Sequence, residues 1–496
     1  MSEKVENTEA GQRKFEPVIG LEIHAQLKTN TKLFCSCPIQ FGAPPNTLVC
    51  PVCLGLPGAL PVLNKKAVEF AVKVAIALNM KVNNVSFFAR KNYFYPDLPK
   101  GYQITQYKVP LAEDGYLEII SDGGKKRIGI ERLVLEEDAG KMIHDAVGIN
   151  EKSLIDFNRS GVPLVEIVTK PDISSPEEAS EFFALLRNIL IYLGVNDGNM
   201  EEGNLRCDAN ISLKELGKNV LGTRTEIKNL NSFKFLKSAL KYEIERQKKK
   251  ILEGERISLE TRTFNPSTGE TVLMRSKEEA HDYRYFPEPD LPPLYISEEF
   301  VEKIKSEIPE LPNAKIERYI KEFGLGIDQA KTLVQTKELA DYFEEVAKRT
   351  SMPKKSANWI LGDVMKYLNE KNIDIKSYPV SPSSLSELII EVEMGRIPRN
   401  IGRDYLQIMA EKRKELKEIV TEEGKRILDE NSLKSLIYDV IKENQKPLED
   451  WIKGKTQVFG FFMGEVMKRS KGMVDANIVK KLVKEILDEL SNSRRD

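Results

Sequence analysis

Residues able to hold a metal or move a proton gather in a few stretches of this chain. The strand-like run VIGLEIHAQL, residues 18–27, alternates with a period of two, so Leu21, Ile23, Ala25 and Leu27 share one face while Glu22, His24 and Gln26 share the other. A carboxylate beside an imidazole holds a divalent cation or does acid–base work; the alternative is a half-exposed strand with a polar outer face. Three more runs carry acids among apolar residues. RLVLEEDAG sets Leu133, Leu135 and Glu137 in one row and Val134, Glu136 and Asp138 in the other, PLVEIV encloses Glu166, and LRCDANIS separates Arg206, Asp208, Asn210 and Ser212 from Leu205, Cys207, Ala209 and Ile211. An unpaired buried charge is expensive. If Glu22, Glu137, Glu166 and Asp208 share a cavity, each pair at about 4 Å repels by about 4 kcal/mol at an effective dielectric of about 20, and the cluster needs a cation. Oxygen ligands with one imidazole suit Mg²⁺ or Mn²⁺ better than zinc. The alternative is a set of structural ion pairs with Arg90, Lys91, Arg132, Lys141 or Arg206.

Four of the five cysteines lie between positions 35 and 53, as Cys35-x-Cys37 and Cys50-x-x-Cys53, with Pro38, Pro51 and Gly55 shaping the turns. Two knuckles of two thiolates are what structural Zn²⁺ requires; the alternative is reduced thiols in a loop. Cys207 falls on an apolar strand face and reads as core, and His144 and His281 have no partner nearby in sequence. No GxxxxGK[ST] loop and no GxSxG elbow occur, so ATP is not held by a Walker motif and serine hydrolysis is not expected. Near the C-terminus, residues 466–484 set Lys468, Arg469, Lys471, Lys480, Lys481 and Lys484 against a single acid, Asp475. Such a run grips phosphates or forms a solvated surface.

The elements that would position these residues fall into blocks. The 496 residues exceed what one core usually supports, and 41% hydrophobic content with a net charge of −1 excludes disorder. No global basic excess advertises nucleic acid, so such a partner needs a local patch. No apolar run is long enough to span a membrane, and residues 1–16 read as a polar tail without a signal-peptide core, which predicts a cytoplasmic protein. Residues 17–295 alternate short strands with a few helices: one opening at Asn64, one at Ser175 with Pro176 and a capping box to Glu178, and one after Ser232. The fold class is α+β, a mostly antiparallel sheet with covering helices and a zinc-knuckle insertion at 35–53. The proline-rich DYRYFPEPDLPPL, residues 282–294, is neither helix nor central strand and marks a boundary. Residues 296–420 then read as a helical domain and 421–496 as a small helical tail domain.

Seven segments, in order VIGLEIHAQL, RKNYFYPDLPKGYQITQ, LEEDAGK, DFNRSGVPLVEIV, EEGNLRCDANISL, TEIKNLNSFKFL and DYRYFPEPDLPPL, make the chain resemble the B subunits of aspartyl/glutamyl-tRNA amidotransferases from about Val18 onward. The resemblance implies a cradle domain on an antiparallel sheet, a helical domain and a YqeY-like tail. It also implies ATP-dependent phosphorylation of the side-chain carboxylate of misacylated Glu-tRNA(Gln) or Asp-tRNA(Asn), followed by attack of ammonia that an amidase (A) subunit releases from glutamine, with a small C subunit joining the two. Carried over residue by residue, Glu22, His24, Glu137, Glu166 and Asp208 form the catalytic Mg²⁺ and ATP site. Lys91, Lys141, Arg206 and Asn210 contact phosphates or orient the acids. The four cysteines match members that hold structural zinc, and the six basic tail residues match the part that meets the body of the tRNA. Rival readings are a non-catalytic tRNA-binding scaffold and a metal-dependent phosphohydrolase.

Overall fold

The computed structural model describes residues 14–121, 124–143, 153–218, 220–276, 283–422, 430–470, 474 and 476–492. The chain divides into two compact units, residues 1–312 and 313–496.

The first unit is built on β1 (Phe15–Gln26), whose strict alternation of apolar and polar residues gives each of its faces a different task. After it come α1 (Lys65–Ala77), β2 (Lys81–Val82), β3 (Phe88–Asn92), β4 (Tyr102–Gln106), β5 (Ala112–Ser121), β6 (Gly124–Glu137) and β7 (Pro163–Thr169). The unit continues with α2 (Pro176–Tyr192), β8 (Leu205–Glu215), β9 (Thr225–Lys228), α3 (Phe233–Leu252), β10 (Glu260–Asn265), β11 (Glu270–Ser276), β12 (Phe286–Pro287) and α4 (Glu298–Ser306). Nine strands form one sheet in the order β11-β10-β9-β8-β1-β7-β6-β5-β2, antiparallel except for the β9–β10 pair. A smaller sheet has the order β12-β3-β4. The α+β class expected from sequence is the one observed.

Each long helix starts where its sequence provides a cap. Asn64 accepts the N–H groups of Lys66 and Ala67, and Ser232 accepts that of Phe235. Ser175 accepts the Glu178 N–H, but Glu178 returns to the N–H of Ser174, not of Ser175, and also meets Lys126 at 2.7 Å, so the box is displaced by one residue. Gly194, at φ +68°, then ends α2 in the left-handed conformation that a side chain disfavours. Ile19, Leu21, Ile23 and Ala25 form one core with Val74 of α1, Phe182 and Leu186 of α2, and Leu240 of α3. This covers one face of the sheet and leaves the other to Glu22, His24 and their neighbours.

Two expected boundaries shift. Phe15 and Glu16 are already strand, Glu16 pairing with Lys214 at 3.1 Å, so the first strand begins inside the stretch expected as a tail; residues 1–13 lie outside those described. The first unit runs past residue 295 to Pro312, because Ile296 and Ile304 belong to its core and Glu307 pairs with Lys73 of α1 at 3.2 Å.

The second unit is helical throughout its described residues. Trp359, fully buried, sits where an α-helix passes into a π-turn at Ile360–Val364; Gly402 packs so close that a Cβ there would come within 3.3 Å of the indole. From Glu430 onward four helices enclose a core of their own, including Leu433, Ile437, Phe462, Val466, Val483 and Leu487.

Because Ile23 is fully buried under the strand that carries the polar face, Ile23→Ala should destabilise the first unit by about 2–5 kcal/mol. Urea denaturation followed by near-ultraviolet circular dichroism would show its transition at a lower midpoint.

Candidate functional site

The polar face of the large sheet is assembled by register. His24 lies opposite Glu166 of β7 and Arg206 of β8, and Glu22 opposite Asp208. On the far side of β7, Leu164 is opposite Glu136, which places Glu136 on the same face as Glu166. The His24 Nε2 consequently stands 3.7 Å from a Glu22 oxygen, 3.7 Å from a Glu136 oxygen and 3.6 Å from a Glu166 oxygen. One ligand atom from each of Glu22, His24 and Glu166 falls within 4.8 Å of the others, a spacing open to one metal ion.

Electrostatics bear out the crowding. Burial resists charging His24, but the Glu166 hydrogen bond and the fields of Glu136, Glu166 and Glu22 outweigh it and hold the imidazole up at about 9. Burial and the neighbouring Glu166 push Glu136 up to about 7, and the same two causes raise Glu22. Glu166 is pulled down to about 2 in spite of its burial, by His24 and then by Arg132 and Lys91. Arg132 Nη2 lies 3.3 Å from Glu166, and Thr105 donates to Glu136 at 3.0 Å. Burial opposes charge on Lys91 too, yet Glu136 outweighs it and raises its pKa.

The other expected residues are dispersed around this centre. Asp208 accepts from Lys228 Nζ and the Asn229 N–H, both at 3.0 Å, so it is held in an ion pair beside Glu22. Arg206 donates to Asp138 at 3.0 Å, and its Nε is buried without a partner. Arg206 and Lys141 line a cavity of about 730 Å³ together with Lys28, Arg159, Asn196 and Asn229. Asn210 stands opposite Gly20 and Glu226, two residues along the strand from Asp208.

Glu137 does not join the acids around His24. It points to the opposite face of β6, where it meets Lys100 Nζ and accepts the Ile104 N–H at 3.0 Å. There it lines a cavity of about 60 Å³ with Lys32, Lys100, Cys35 and Cys53. The third carboxylate at His24 is Glu136, and the alternation in RLVLEEDAG already separated the two. What was missing was which row faces Glu166, a fact of strand pairing.

The four cysteines come together as their spacing implies. Their sulfurs lie within 4.8 Å of one another, and a tetrahedral zinc at about 2.3 Å from each needs them roughly 3.8 Å apart. Hydrogen bonds from Cys35 and from the Cys50 backbone hold Cys53 down at about 4, helped by Lys32. Lys32 is fully buried with its ammonium 3.6 Å from Cys53, a position suited to balancing a thiolate cluster. Cys207 is buried in the core, as expected.

Comparison with known proteins assigns the chain to a family. The GatB/GatE catalytic domain family matches residues 17–302 and the GatB domain family residues 341–487. The chain is 53% identical over 477 residues to the B subunit of the aspartyl/glutamyl-tRNA(Asn/Gln) amidotransferase of Thermodesulfovibrio yellowstonii, covering 96% of this chain and all of that one. It is 49% identical over 480 residues to its namesake from Carboxydothermus hydrogenoformans, covering 96% and 100%. It belongs to the family of amidotransferase B subunits. For a member of this family the tail is less basic than its sequence suggests. Arg469 is paired with Glu443, Lys468 lies 3.8 Å from Glu465 and Lys481 4.0 Å from Glu485, while Lys480 and Lys484 are exposed. Lys471, with His144 and His281, lies outside the described residues.

His24 yields a direct test in the metal-free protein. Its folded pKa is raised from 6.5 to about 9, so the stabilisation it provides is fully present below about pH 6.5 and is lost as the pH rises through about 9. With three histidines in the chain, NMR should resolve one imidazole titrating near 9 that disappears in His24→Ala.

Proposed function

We propose that the chain is the subunit that activates and amidates the side-chain carboxylate of misacylated Glu-tRNA(Gln) or Asp-tRNA(Asn), with ATP as phosphoryl donor and ammonia supplied by an amidase (A) subunit joined through a small C subunit. The observation that carries this reading is the gathering of Glu22, Glu136 and Glu166 around His24 on one sheet face, in a chain of this family. Oxygens of Glu22 and Glu166 and the His24 imidazole nitrogen lie close enough to hold one ion, and oxygen ligands with one imidazole suit Mg²⁺ or Mn²⁺, with Glu136 standing beside them. Bound there, the ion would neutralise phosphoryl oxygens during transfer.

The chain's own groups do the rest. Lys91 brings a half-buried positive charge to the edge of the cluster, placed to attract an anionic carboxylate or phosphate. Arg206, with an unpartnered Nε, and Lys141 furnish donors in the adjoining cavity, which is large enough for a nucleotide. Asp208 and Asn210 act by position: Asp208 holds Lys228 beside Glu22. Glu137, on the other face of β6, supports the wall that carries Glu136 by fixing Lys100 and the Ile104 backbone. The substrate carboxylate attacks phosphorus and ADP departs. Ammonia then attacks the acyl carbon and phosphate departs, so the activated group must meet ammonia before water.

Cys35, Cys37, Cys50 and Cys53 bind a structural Zn²⁺ apart from this chemistry, and four free thiols kept close together suit a reducing cytoplasm. No helix among the described residues is long and apolar enough to cross a membrane. Lys468, Arg469, Lys471, Lys480, Lys481 and Lys484 meet the tRNA body through phosphates, weakened by the acids beside them.

In the assembled three-subunit enzyme with ATP, Mg²⁺, glutamine and misacylated tRNA, Glu166→Gln and Glu136→Gln should each lower amidated-tRNA formation at least a hundredfold while glutamine hydrolysis persists. Wild-type rates in both would remove the carboxylate cluster from the mechanism. Metal analysis should find about one zinc per chain, lost on Cys50→Ser with Cys53→Ser. Removing residues beyond 420 should weaken tRNA binding and flatten its dependence on salt, read from binding isotherms at several ionic strengths.

A further inference from the structure

A row of tyrosines runs from the carboxylate cluster to the surface, and the chemistry of that cluster gives it no task. Tyr93 and Tyr283 have ring centroids 5.9 Å apart, Tyr283 and Tyr285 are 6.0 Å apart, and Tyr107 stacks on Tyr285 at 4.0 Å with the planes 2° from parallel. At the inner end the Lys91 ammonium lies 5.0 Å from the Tyr283 ring. Lys91 lies on β3 opposite Gln103 of β4, and Thr105, two residues further along β4, donates to Glu136 at 3.0 Å, so the row begins beside the reaction centre. At the outer end Tyr107 is 54% exposed, its second ring face free of aromatic or cationic neighbours among the described residues.

The row is preorganised. Arg284, between the two tyrosines of β12's leading segment, sits at φ +46°, a left-handed conformation uncommon for arginine, and the Asn92 side chain donates to its carbonyl at 2.8 Å. The Asn92 N–H also donates to the Tyr283 carbonyl at 2.9 Å. Backbone held in this way fixes two ring positions in advance of any ligand.

We propose that this row is a stacking platform for the unpaired nucleobases at the 3′ end of the acyl-tRNA, the end that carries the reacting carboxylate. The inference rests on the function proposed above. Aromatic rings with free faces accept any base, because every base has a π-face. The occupant is a strand and not the adenine of ATP, for two reasons. Small-molecule sites enclose most of their ligand, whereas Tyr107 lies open to solvent. The ring series also extends well beyond the reach of a single base, and it leads inward to Lys91, the direction in which an arriving acyl group must travel. Tyr107, backed by Tyr285, receives the outer base on its open face, and Lys91 meets the charged end.

The test uses the assembled three-subunit enzyme and steady-state kinetics with each substrate varied in turn. Tyr107→Ala should raise KM for misacylated tRNA roughly tenfold, within the range expected for one lost stack, leave KM for ATP within twofold and change kcat little. Tyr107→Phe keeps the ring and should behave as wild type. Tyr107 is exposed, so the Ala variant is expected to fold, which a matching melting temperature would verify. An unchanged KM for tRNA in Tyr107→Ala overturns the platform, as does a rise in KM for ATP alone, which would assign the row to adenine. A wild-type complex that forms no amidated tRNA overturns the platform and the function beneath it together. Amidation by the wild type with an unaltered Tyr107→Ala overturns the platform alone.

Discussion

Three carboxylates held against one imidazole set the terms for the first unit. Carboxylates at about 4 Å repel by about 4 kcal/mol per pair at an effective dielectric of about 20, and burial adds to the cost of each charge. The protein meets this in two ways. Arg132 at Glu166, Lys91 near Glu136 and Lys228 at Asp208 border the acids with cations, and His24 takes up a proton that its burial would otherwise deny it. A proton on His24 therefore offsets part of the negative charge of the acids around it. The apolar face beneath, from Ile19 to Ala25, supplies the packing that holds the strands in place against that repulsion.

Consecutive glutamates on β6 serve two different environments. Glu136 faces the imidazole, and Glu137 faces Lys100 and the cavity beside the cysteine cluster. The end of one strand thus lies between the acid cluster and the thiol cluster, each with its own lysine: half-buried Lys91 on one side, fully buried Lys32 on the other.

Near-neutral net charge conceals this arrangement. The first unit concentrates acids in a small volume and balances them with lysines and arginines that are distant in sequence, such as Lys228 with Asp208 and Arg90 with Glu288 at 2.7 Å. In the tail the pairing is between neighbouring helices and within them, Arg469 with Glu443 and Lys481 with Glu485. The lysines and arginines of residues 466–484 overstate its field, because the acids that answer them lie before and after that run.

Much of this was legible in the amino-acid sequence alone. The period of two in residues 18–27 determined which side chains of β1 face the core, Asn64, Ser175 and Ser232 marked their helix starts, and the cysteine spacing specified a four-sulfur cluster, because each depends on residues within a turn or two of one another. The choice between Glu136 and Glu137 did not depend on neighbours. It was decided by which row of β6 faces Glu166 of β7, a pairing between segments about thirty residues apart. The place of Lys91 beside Glu136, the end of the first unit at Pro312 and the alignment of Tyr107 with Tyr285 belong to the same class. Local pattern determines which face a residue takes on its own strand, and only the tertiary structure decides what stands opposite, because register is set by packing across the whole sheet.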